Sequence, residues 1–334
     1  MLKVGLIGCG FMGGMHSACY KVIDGAEIVA VADVRPEKAE EVAKTHGGAK
    51  IYATGKELIE NAEVDVIDIC LPTYLHTEHA VLAMKAGRNV FIEKPVCLTK
   101  EEGQILLDTQ KETGAKVQVG QVIRLWDEYV WLKDAYDKGE YGKLLSASFK
   151  RLSNYPTWAW DNWLHTPEKS GGVAQDMHIH DVDFMRYLLG EPKDFHATAQ
   201  RDDQGVIQQI FTNFTYEDGE VVSVEACWDY PQDFPFDAGF RVKFEKATVV
   251  NDANGLTVYL KDGGQYKPEI ISAFEGDNEI GGNISSLGGY YNELKYFVEK
   301  LSAGEELAIA PLCEGVKSTE LVLDEIASAG GVKK

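Results

Sequence analysis

The sequence predicts an α/β protein of two domains, with a parallel sheet in residues 1–121 and an α+β domain with a large, predominantly antiparallel open sheet in residues 122–334. Three observations predict this class. Strand-length apolar runs alternate with helical patterns up to Gly120, which is typical of βαβ units. After Arg124 the strand-like runs become longer, alternate in polarity and are separated by hairpin dipeptides. The length of 334 residues also fits two domains of ordinary size.

The first domain is expected to contain five strands with helical stretches between them. The strands are Lys3 to Ile7, Glu27 to Ala32, Val64 to Leu71, Asn89 to Ile92 and Lys116 to Val119. The helices are Gly14 to Ile23, Pro36 to His46, Gly55 to Asn61, Thr77 to Ala86 and Lys100 to Thr113. Gly87 and Gly114 suit the left-handed residue that often ends a helix.

The second domain is expected to begin with a helix and to continue mainly as strands. The helices are Asp127 to Lys138, Tyr290 to Leu301 and Cys313 to Ala329. The strands are Leu144 to Lys150, Phe195 to Gln200, Val206 to Tyr216, Glu220 to Trp228, Phe240 to Phe244 and Leu256 to Leu260. Asp218-Gly219 and Asn254-Gly255 predict tight hairpin turns, so neighbouring strands should pair in antiparallel fashion.

Charge and cysteine content exclude several classes of function. The chain has 33 Lys and Arg against 53 Asp and Glu, a formal charge of −20, which disfavours nucleic acid and anionic membrane as partners. Its six cysteines show no CxxC spacing, so free thiols are expected and no metal site is predicted. The apolar run Val4 to Ile7 is too short for a signal peptide, which predicts a cytoplasmic location.

A glycine-rich turn, Gly8-Cys9-Gly10-Phe11-Met12-Gly13, lies directly after the first strand and before the first helix. Its GxGxxG spacing is that of a dinucleotide fingerprint. Gly8 would permit the tight turn, Gly10 would let the backbone approach a pyrophosphate, and Gly13 would let helix and strand pack. A glycine turn without a ligand is the alternative. The first domain is therefore predicted to be a Rossmann dinucleotide-binding domain.

Asp33 lies 20 residues after Gly13 (33 − 13), at the end of the second strand. A carboxylate there can accept a hydrogen bond from the ribose 2′-hydroxyl of NAD and would repel the 2′-phosphate of NADP. Arg35 could instead stack on adenine or attract that phosphate, so NADP stays possible. Asp33 could also merely cap the helix that starts at Pro36. NAD is the expected cofactor.

Two further strands end in candidate site residues. Leu71-Pro72-Thr73 ends one strand and Glu93-Lys94-Pro95 ends the next, which places both at the carboxyl edge of the sheet, where α/β proteins bind ligands. Lys94 could hydrogen-bond a substrate oxygen and stabilise developing negative charge. An ordinary surface lysine is the alternative.

A second group of residues follows Gly171-Gly172 and is predicted to form a helix that stops at Gly190. The i, i+4 spacing places Asp176 and His180 on one face, with Asp183 three residues further along. A histidine held by a carboxylate can accept a hydroxyl proton while hydride leaves the carbon. A satisfied structural histidine is one alternative. Metal chelation by His178 and His180 is the other, and it would need a strand here because these side chains diverge on a helix.

Aromatic side chains precede the Gly-Gly pair: Tyr155, Trp158, Trp160 and Trp163. Flat aromatic faces suit the apolar faces of pyranoses and cyclitols, so these residues could line a substrate wall. Core packing is the equal alternative.

Together these residues resemble the glucose-fructose oxidoreductase, inositol dehydrogenase and MocA (Gfo/Idh/MocA) family over nearly the whole chain. The resemblance rests on three motifs: the glycine fingerprint, Glu93-Lys94-Pro95, and the Gly-Gly-x-x-x-Asp-x-x-x-His pattern that ends at His180. It implies a Rossmann domain followed by a domain whose open sheet forms the interface of a homodimer or homotetramer.

The resemblance also implies residue roles. Lys94 and His180 would contact the reacting hydroxyl, with His180 removing its proton and Asp176 assisting. The expected cofactor contacts are Gly8, Gly10, Phe11, Met12, Gly13, Asp33, Arg35, Leu71, Pro72, Thr73, His76, Glu93, Lys94 and Gln121. The expected substrate contacts are Lys94, Arg124, Tyr155, Trp163, Asp176 and His180.

Two motifs depart from the family pattern. Leu71-Pro72-Thr73 stands where Thr-Pro-Asn is common, and Gly120-Gln121-Val122-Ile123-Arg124 stands where Gly-Phe-x-x-Arg is common. Both segments belong to the nicotinamide end, and Gln121 could touch substrate instead of cofactor.

The predicted function is NAD-dependent oxidation of a secondary hydroxyl of a cyclitol, sugar or glycoside, as in inositol 2-dehydrogenases. This prediction requires Lys94, Asp176 and His180 to converge beside the nicotinamide ring. Two alternatives stay open. One is a glycoside hydrolase or eliminase that retains NAD and acts through transient oxidation, and the other is a non-catalytic sensor of dinucleotide or sugar.

Overall fold

The computed structural model describes residues 1–270, 272 and 287–330. The strands in this part of the chain are β1 Leu2–Ile7, β2 Ala26–Ala32, β3 Lys50–Tyr52, β4 Val66–Ile69, β5 Asn89–Glu93, β6 Val117–Gly120, β7 Leu144–Asn154, β8 Asp194–Arg201, β9 Ile207–Thr215, β10 Val221–Tyr230, β11 Asp237–Phe244, β12 Ala247–Asp252, β13 Gly255–Leu260 and β14 Gln265–Tyr266. The helices are α1 Phe11–Tyr20, α2 Pro36–Thr45, α3 Gly55–Asn61, α4 His76–Lys85, α5 Lys100–Thr113, α6 Asp127–Asp137, α7 Pro167–Ser170, α8 Ile179–Leu189, α9 Gly288–Ala303 and α10 Leu312–Ser328.

The first unit is built on a six-stranded parallel sheet in the order β3-β2-β1-β4-β5-β6. The order reverses at β1, so the carboxyl ends of β1 and β4 flank the switch point where doubly wound sheets bind ligands. Each face of this sheet is covered by its own apolar cluster, one around Leu58 and Ile67 and the other around Met15 and Phe297. The parallel sheet predicted from the sequence is confirmed, and its strand order is that of a Rossmann domain.

The chain contributes two segments to this first unit, Met1–Leu125 and Ser272–Lys317, while Trp126–Ile271 and Ser318–Lys334 form the second. A linear division at residue 121 differs from this arrangement. The difference has a physical reason in α9, whose Leu294, Phe297 and Val298 are buried in the apolar cluster of the first unit. Sequence periodicity reveals such an apolar helix face but not the sheet that it covers.

The second unit is built on an eight-stranded sheet in the order β14-β13-β12-β11-β7-β10-β9-β8. β7 and β10 pair in parallel, and the other neighbours are antiparallel. The two predicted hairpin turns are present, with φ of +90° at Gly219 and +84° at Gly255. The predicted, mainly antiparallel sheet is therefore confirmed.

One face of this sheet packs against α6 and α8 through aromatic side chains. Tyr129 of α6 makes edge-to-face contacts with Phe184 of α8, at 4.7 Å between ring centroids, and with Phe240 of β11, at 5.0 Å. On the opposite face, Phe211, Val221 and Tyr259 remain exposed. The second unit thus buries one face of its sheet and leaves the other accessible.

Two local features differ from the sequence prediction. β3 is a three-residue edge strand that pairs only with β2, too short to produce a visible alternation of polarity. The first helix begins at Phe11 rather than near Gly14, because the chain turns into it directly at Gly10. No helix in the described part of the chain is long and apolar enough to cross a membrane.

Candidate active site

The glycine turn after β1 has no space for a side chain at Gly8 or Gly13, as the sequence predicted. A Cβ on Gly8 would lie 2.4 Å from the carbonyl oxygen of Cys70, and one on Gly13 would lie 1.8 Å from the carbonyl oxygen of Gly8. Gly8 also has φ of +92°. Gly10 stands at the N-cap of α1 without a side-chain cap, and Phe11 and Met12 form the first turn. The turn thus brings bare backbone and a helix N-terminus to the carboxyl edge of the sheet, which suits an anionic pyrophosphate.

Asp33, just beyond β2, organises the neighbouring corner of the sheet. Its carboxylate accepts hydrogen bonds from the Cys9 amide at 2.8 Å and from Nε and Nη2 of Arg35, both at 2.9 Å. Burial raises the pKa of Asp33, but the bonds from Arg35 and Cys9 outweigh it and lower the pKa below its ordinary value. The N-cap of α2 is Arg35, with no side-chain cap bond, so Asp33 does not cap that helix through its N2 or N3 amide.

The loop after β4 contains Leu71, Pro72, Thr73 and His76. His76 is buried, and its two ring nitrogens lie 2.9 Å from the Pro95 carbonyl oxygen and 2.7 Å from the Leu71 carbonyl oxygen. Burial lowers the pKa of His76, and the contacts of its ring tie this loop to the end of β5. Thr73 Oγ1 is buried and has no hydrogen-bond partner among the described residues. Thr73 therefore offers a polar group that a bound ligand could satisfy.

The end of β5 carries Lys94, which is partly exposed and is followed by a cis peptide bond to Pro95. Glu93, the last residue of the strand, is buried, and its Oε2 accepts a hydrogen bond from the Lys94 amide at 3.2 Å. Because β4 and β5 are neighbouring parallel strands, the loop of Thr73 and the backbone of Lys94 share one edge of the sheet.

The end of β6 contributes Gln121 and Arg124. Both amide atoms of Gln121 are buried without a partner in the described structure, and the residue is 1% exposed. Leaving such a group unsatisfied costs about 1–3 kcal/mol, which a ligand could recover. Arg124 is buried and donates from Nη1 to the carbonyl oxygen of Ile309, so part of its guanidinium holds the chain in place.

In the second unit, the run after Gly171 is helical but not uniformly α. Ala174–His178 form a π-helical turn, which continues directly into α8. Gly171 has φ of +75°, and a Cβ there would lie 2.0 Å from Oε1 of Gln175. From residue 172 to residue 186, every residue is buried except Asp176 and His180. The predicted pair is therefore the accessible polar pair of this segment, and π-helical turns are frequent at functional sites.

The buried side of this helical segment is anchored by polar contacts. His178 Nε2 lies 2.7 Å from Glu325 Oε2, and Arg151 Nε donates to Asp181 at 3.0 Å. The expectation that Asp183 continues the face of Asp176 and His180 is wrong. Asp183 is buried and accepts a hydrogen bond from Ser318 at 2.6 Å, whereas Asp176 and His180 are partly exposed.

The aromatic segment before Gly171 lies largely on the surface of the second unit. Trp158 and Trp160 are 59% and 45% exposed, which excludes core packing for these two. Tyr155 is also exposed and stacks on His165, with ring centroids 3.9 Å apart, whereas Trp163 is half-buried.

A buried histidine in α1, His16, was missed by the sequence analysis. Nδ1 of His16 lies 2.9 Å from Asp68 and Nε2 lies 3.0 Å from Glu93. The available signal was Asp68 itself, a charged residue in the otherwise apolar strand β4. Two groups of described residues have the atom separations of metal ligands, and both contain His16; neither contains His178 or His180.

Two family models match the chain, one in its N-terminal part and one in the part that follows. Residues 2–121 match the model of an oxidoreductase family with an NAD-binding Rossmann fold, and residues 129–250 match the GFO/IDH/MocA C-terminal domain. The chain belongs to the GFO/IDH/MocA oxidoreductase family. Its first domain is therefore an NAD-binding Rossmann domain, as the glycine turn and Asp33 predicted.

Individual relatives carry names of sugar and cyclitol dehydrogenases. The chain is 32% identical over 192 residues to a myo-inositol 2-dehydrogenase of Thermotoga maritima, a match that covers 57% of this chain and 55% of the relative. It is 30% identical over 239 residues to scyllo-inositol 2-dehydrogenase (NAD(+)) of Bacillus subtilis, covering 69% of this chain and 68% of the relative. The chain thus matches about half the length of the first of these relatives.

The fold resembles that of a levoglucosan dehydrogenase solved with NADH and levoglucosan. The TM-score is 0.86 at 23% identity, and the match covers 98% of this chain and 97% of the other. At this identity the likeness establishes the fold, and the predicted fold class is confirmed.

Proposed function

We propose that this protein is an NAD-dependent dehydrogenase that oxidises a secondary hydroxyl of a cyclitol, sugar or glycoside. One observation supports it most strongly. The first unit has the family's NAD-binding sheet, and Glu93-Lys94-Pro95 stands at the end of its strand β5. In the second unit, Asp176 and His180 are the two residues between 172 and 186 that are not buried. The names of the relatives, inositol dehydrogenases among them, agree with this proposal.

The residues of the first unit fit a dinucleotide. Gly10 and the N-terminus of α1 would receive the pyrophosphate, Asp33 the adenosine ribose, and Thr73 and Gln121 the nicotinamide end. Arg35 is already held by Asp33, so an NADP phosphate would have to compete with that carboxylate. We therefore infer a preference for NAD. When bound, NAD would supply a hydride acceptor at nicotinamide C4.

The protein's own side chains would manage the proton and the orientation of the substrate. His180 accepts the hydroxyl proton as the carbon–hydrogen bond breaks, and Asp176 stabilises the imidazolium that forms. Lys94 donates a hydrogen bond to the same oxygen and stabilises its developing negative charge. Arg124 would act from the end of β6, chiefly by holding that segment through Ile309.

The aromatic segment of the second unit supports a ring-shaped, polyhydroxylated substrate. Tyr155 and Trp163 present flat surfaces that could stack on the apolar face of a sugar or cyclitol. Exposed Trp158 and Trp160 offer further area of the same kind. We infer that these side chains discriminate among rings by shape, while the hydroxyl chemistry stays the same.

The exposed face of the eight-stranded sheet supports self-association. Phe211, Val221 and Tyr259 are exposed there, and large apolar side chains on one sheet face are typical of an interface. We propose a homodimer or homotetramer in the cytoplasm, where its six free cysteines would stay reduced. Light scattering after gel filtration should give a multiple of 36.9 kDa, and a monomer mass would refute the association.

The function is tested by a panel of inositols, hexoses and glycosides with NAD and NADP side by side. The proposal expects absorbance of reduced nicotinamide with at least one polyol and faster turnover with NAD. A glycoside that is cleaved without net reduced nicotinamide, by enzyme purified with bound NAD, would favour transient oxidation instead. No turnover across the panel, together with tight sugar binding, would favour a sensor.

A further inference from the structure

A buried ionic network lies inside the first unit near the carboxyl edge of the parallel sheet. It joins His16 of α1, Asp68 of β4, Glu93 of β5 and Glu293 of α9, which are all at most 5% exposed. His16 Nδ1 lies 2.9 and 3.1 Å from the two carboxylate oxygens of Asp68, and its Nε2 lies 3.0 Å from Glu93 Oε1. Ionisable groups this deep are costly unless each has a partner.

The contacts of the two His16 ring nitrogens define its charge: Nδ1 faces Asp68 and, at 3.2 Å, the Cys70 sulfur, and Nε2 faces Glu93. A neutral imidazole donates from one nitrogen only, whereas here both nitrogens face carboxylates. Burial alone would lower the pKa of His16, but the neighbouring Asp68 carboxylate, assisted by Cys70, raises the pKa well above its ordinary value. The ring is thus an imidazolium between two carboxylates. A metal on Nε2 would displace the hydrogen bond to Glu93, so the same atoms cannot serve both purposes.

Glu293 is the fourth ionisable group of the network. Burial, followed by the charge of Glu93, raises the pKa of Glu293 well above its ordinary value, which favours the protonated form of this carboxyl. Asp68, His16 and Glu93 then carry the ionic pairing between them. Gln118 of β6 donates from Nε2 to the backbone carbonyl of Glu293 at 3.2 Å and holds that turn of α9 in place.

Glu93 connects this network to the end of β5. While its Oε1 faces His16, its Oε2 accepts the hydrogen bond from the Lys94 amide at 3.2 Å. Gly120 on the neighbouring strand leaves space for the carboxylate, because a Cβ there would lie only 3.1 Å from Glu93 Oε1. The orientation of the Lys94 peptide therefore depends on a carboxylate that His16 holds in place.

We propose that His16 is a positioning residue for the oxidation: its imidazolium bridges Asp68 and Glu93, and through Glu93 it fixes the backbone of Lys94. This inference rests on the proposed function, because Lys94 is the group that it positions for the reacting hydroxyl. His16 itself lies inside the sheet–helix layer and has no exposed surface, so it can act only through the residues that it contacts, and Glu93 is the one that bonds the Lys94 amide.

The test compares His16→Gln with His79→Gln, a half-buried histidine of α4 whose Nδ1 contacts only the carbonyl of Leu75. A glutamine at position 16 is neutral and donates from one end of its amide only, whereas the imidazolium donates from two opposite ring nitrogens. His16→Gln should lower kcat by about tenfold or more, since misplacement of a reacting group by a fraction of an ångström is sufficient for this. NADH affinity should stay within about twofold, because the glycine turn is unchanged.

The isotope effect with substrate deuterated at the reacting carbon separates positioning from mere loss of folded enzyme. In His16→Gln the deuterium isotope effect on kcat should be larger than in the wild type, because hydride transfer becomes more rate-limiting. A smaller active fraction would lower kcat without changing the isotope effect. His79→Gln should match the wild type in both quantities. A wild-type kcat and isotope effect in His16→Gln would overturn the proposal.

Two measurements decide the proposal without turnover and separate its failure from that of the proposed function. Nitrogen NMR of the His16 ring in the wild-type protein should show both nitrogens protonated at pH 8, and a neutral ring would overturn the bridge. Exchange of the Lys94 amide proton, relative to that of Ile92 within β5, should be faster in His16→Gln only. If the wild type oxidises no polyol, the proposed function falls, and these measurements still accept or reject the bridge.

Discussion

The two units hold their candidate site residues by different physical means. In the first unit the candidate cofactor contacts come from strand ends, bare glycine backbone and a helix N-terminus, so main-chain geometry does most of the recognition. In the second unit the candidate groups are side chains on a π-helical turn and a following α-helix, and buried polar contacts hold the opposite side of this segment. Recognition by the backbone should be lost when a glycine gains a side chain. Chemistry carried by side chains should be lost when a single polar residue is replaced.

The largest effect should come from the side chains that we propose to contact the reacting hydroxyl. His180→Ala and Lys94→Ala should each reduce turnover by about a hundredfold or more, because proton transfer and oxyanion stabilisation are lost. NAD affinity should stay nearly intact, as isothermal titration can show. His196→Ala, on the exposed side of β8, is the matched control and should keep full activity. Unchanged turnover in either test variant removes that residue from the mechanism.

In the first unit, a single added methyl group in the glycine turn should weaken NAD binding. Gly13→Ala places a Cβ 1.8 Å from the Gly8 carbonyl oxygen, so the turn must move and NAD affinity should fall by about tenfold or more. Gly14→Ala is the neighbouring control, since a Cβ there meets nothing within 4 Å. It should bind NAD normally and stabilise α1 by about 1 kcal/mol. Equal behaviour of the two variants would mean that the turn does not cradle the cofactor.

Cofactor choice should respond to Asp33 by a smaller factor. Asp33→Asn removes the charge that repels a 2′-phosphate and releases Arg35, so the ratio of kcat/KM for NAD over NADP should fall by about tenfold. Arg35→Ala is the complementary variant and should not increase the use of NADP. A ratio that is unchanged in Asp33→Asn would assign discrimination to other residues.

Acid titration tests the same carboxylate. The pKa of Asp33 is lower in the folded protein than its ordinary value. The ionised carboxylate therefore contributes its full stability at every pH above the ordinary pKa. This contribution is lost only when the pH falls through the lower pKa of the folded state. NAD affinity of the wild type should therefore remain constant from neutral pH down to about pH 4. A decline centred near pH 6 would show that another group controls binding.

The smallest effect concerns Gln121, whose replacement should raise the stability of the unliganded protein and lower its affinity for ligand. Gln121→Leu removes a buried amide with no partner among the described residues, so the unliganded protein should gain about 1 kcal/mol in free energy of unfolding. Affinity for NAD or for the substrate should fall severalfold in the same variant. Loss of stability without a change in either affinity would assign Gln121 to the core.

The contrast between the units also explains how far the sequence could predict the site. Gly8, Gly10, Gly13 and Asp33 were found because local backbone geometry dictates residue type and spacing. His16 was missed because its partners, Asp68 and Glu93, are 52 and 77 residues away, and no local pattern reports such pairing. Asp183 was misassigned because its buried partner, Ser318, is 135 residues away in the sequence.

The domain boundary illustrates the same limit. Periodicity predicted α9 correctly as a helix near residues 290–301, but its buried face belongs to the first unit. A helix with one apolar face can cover any sheet of suitable size. Chain order alone therefore assigned α9 to the second domain, and the packing of Phe297 against Phe91, at 5.4 Å between ring centroids, shows where it lies.

The most direct test of the account follows the hydrogen itself. A polyol that the panel identifies is deuterated at the reacting carbon and mixed with excess enzyme and NAD, and the reduced nicotinamide is analysed by mass spectrometry. The account predicts one deuterium in the product dinucleotide for the wild type and little product for His180→Ala. Oxidised polyol accompanied by unlabelled dinucleotide would contradict hydride transfer and the proposed function with it.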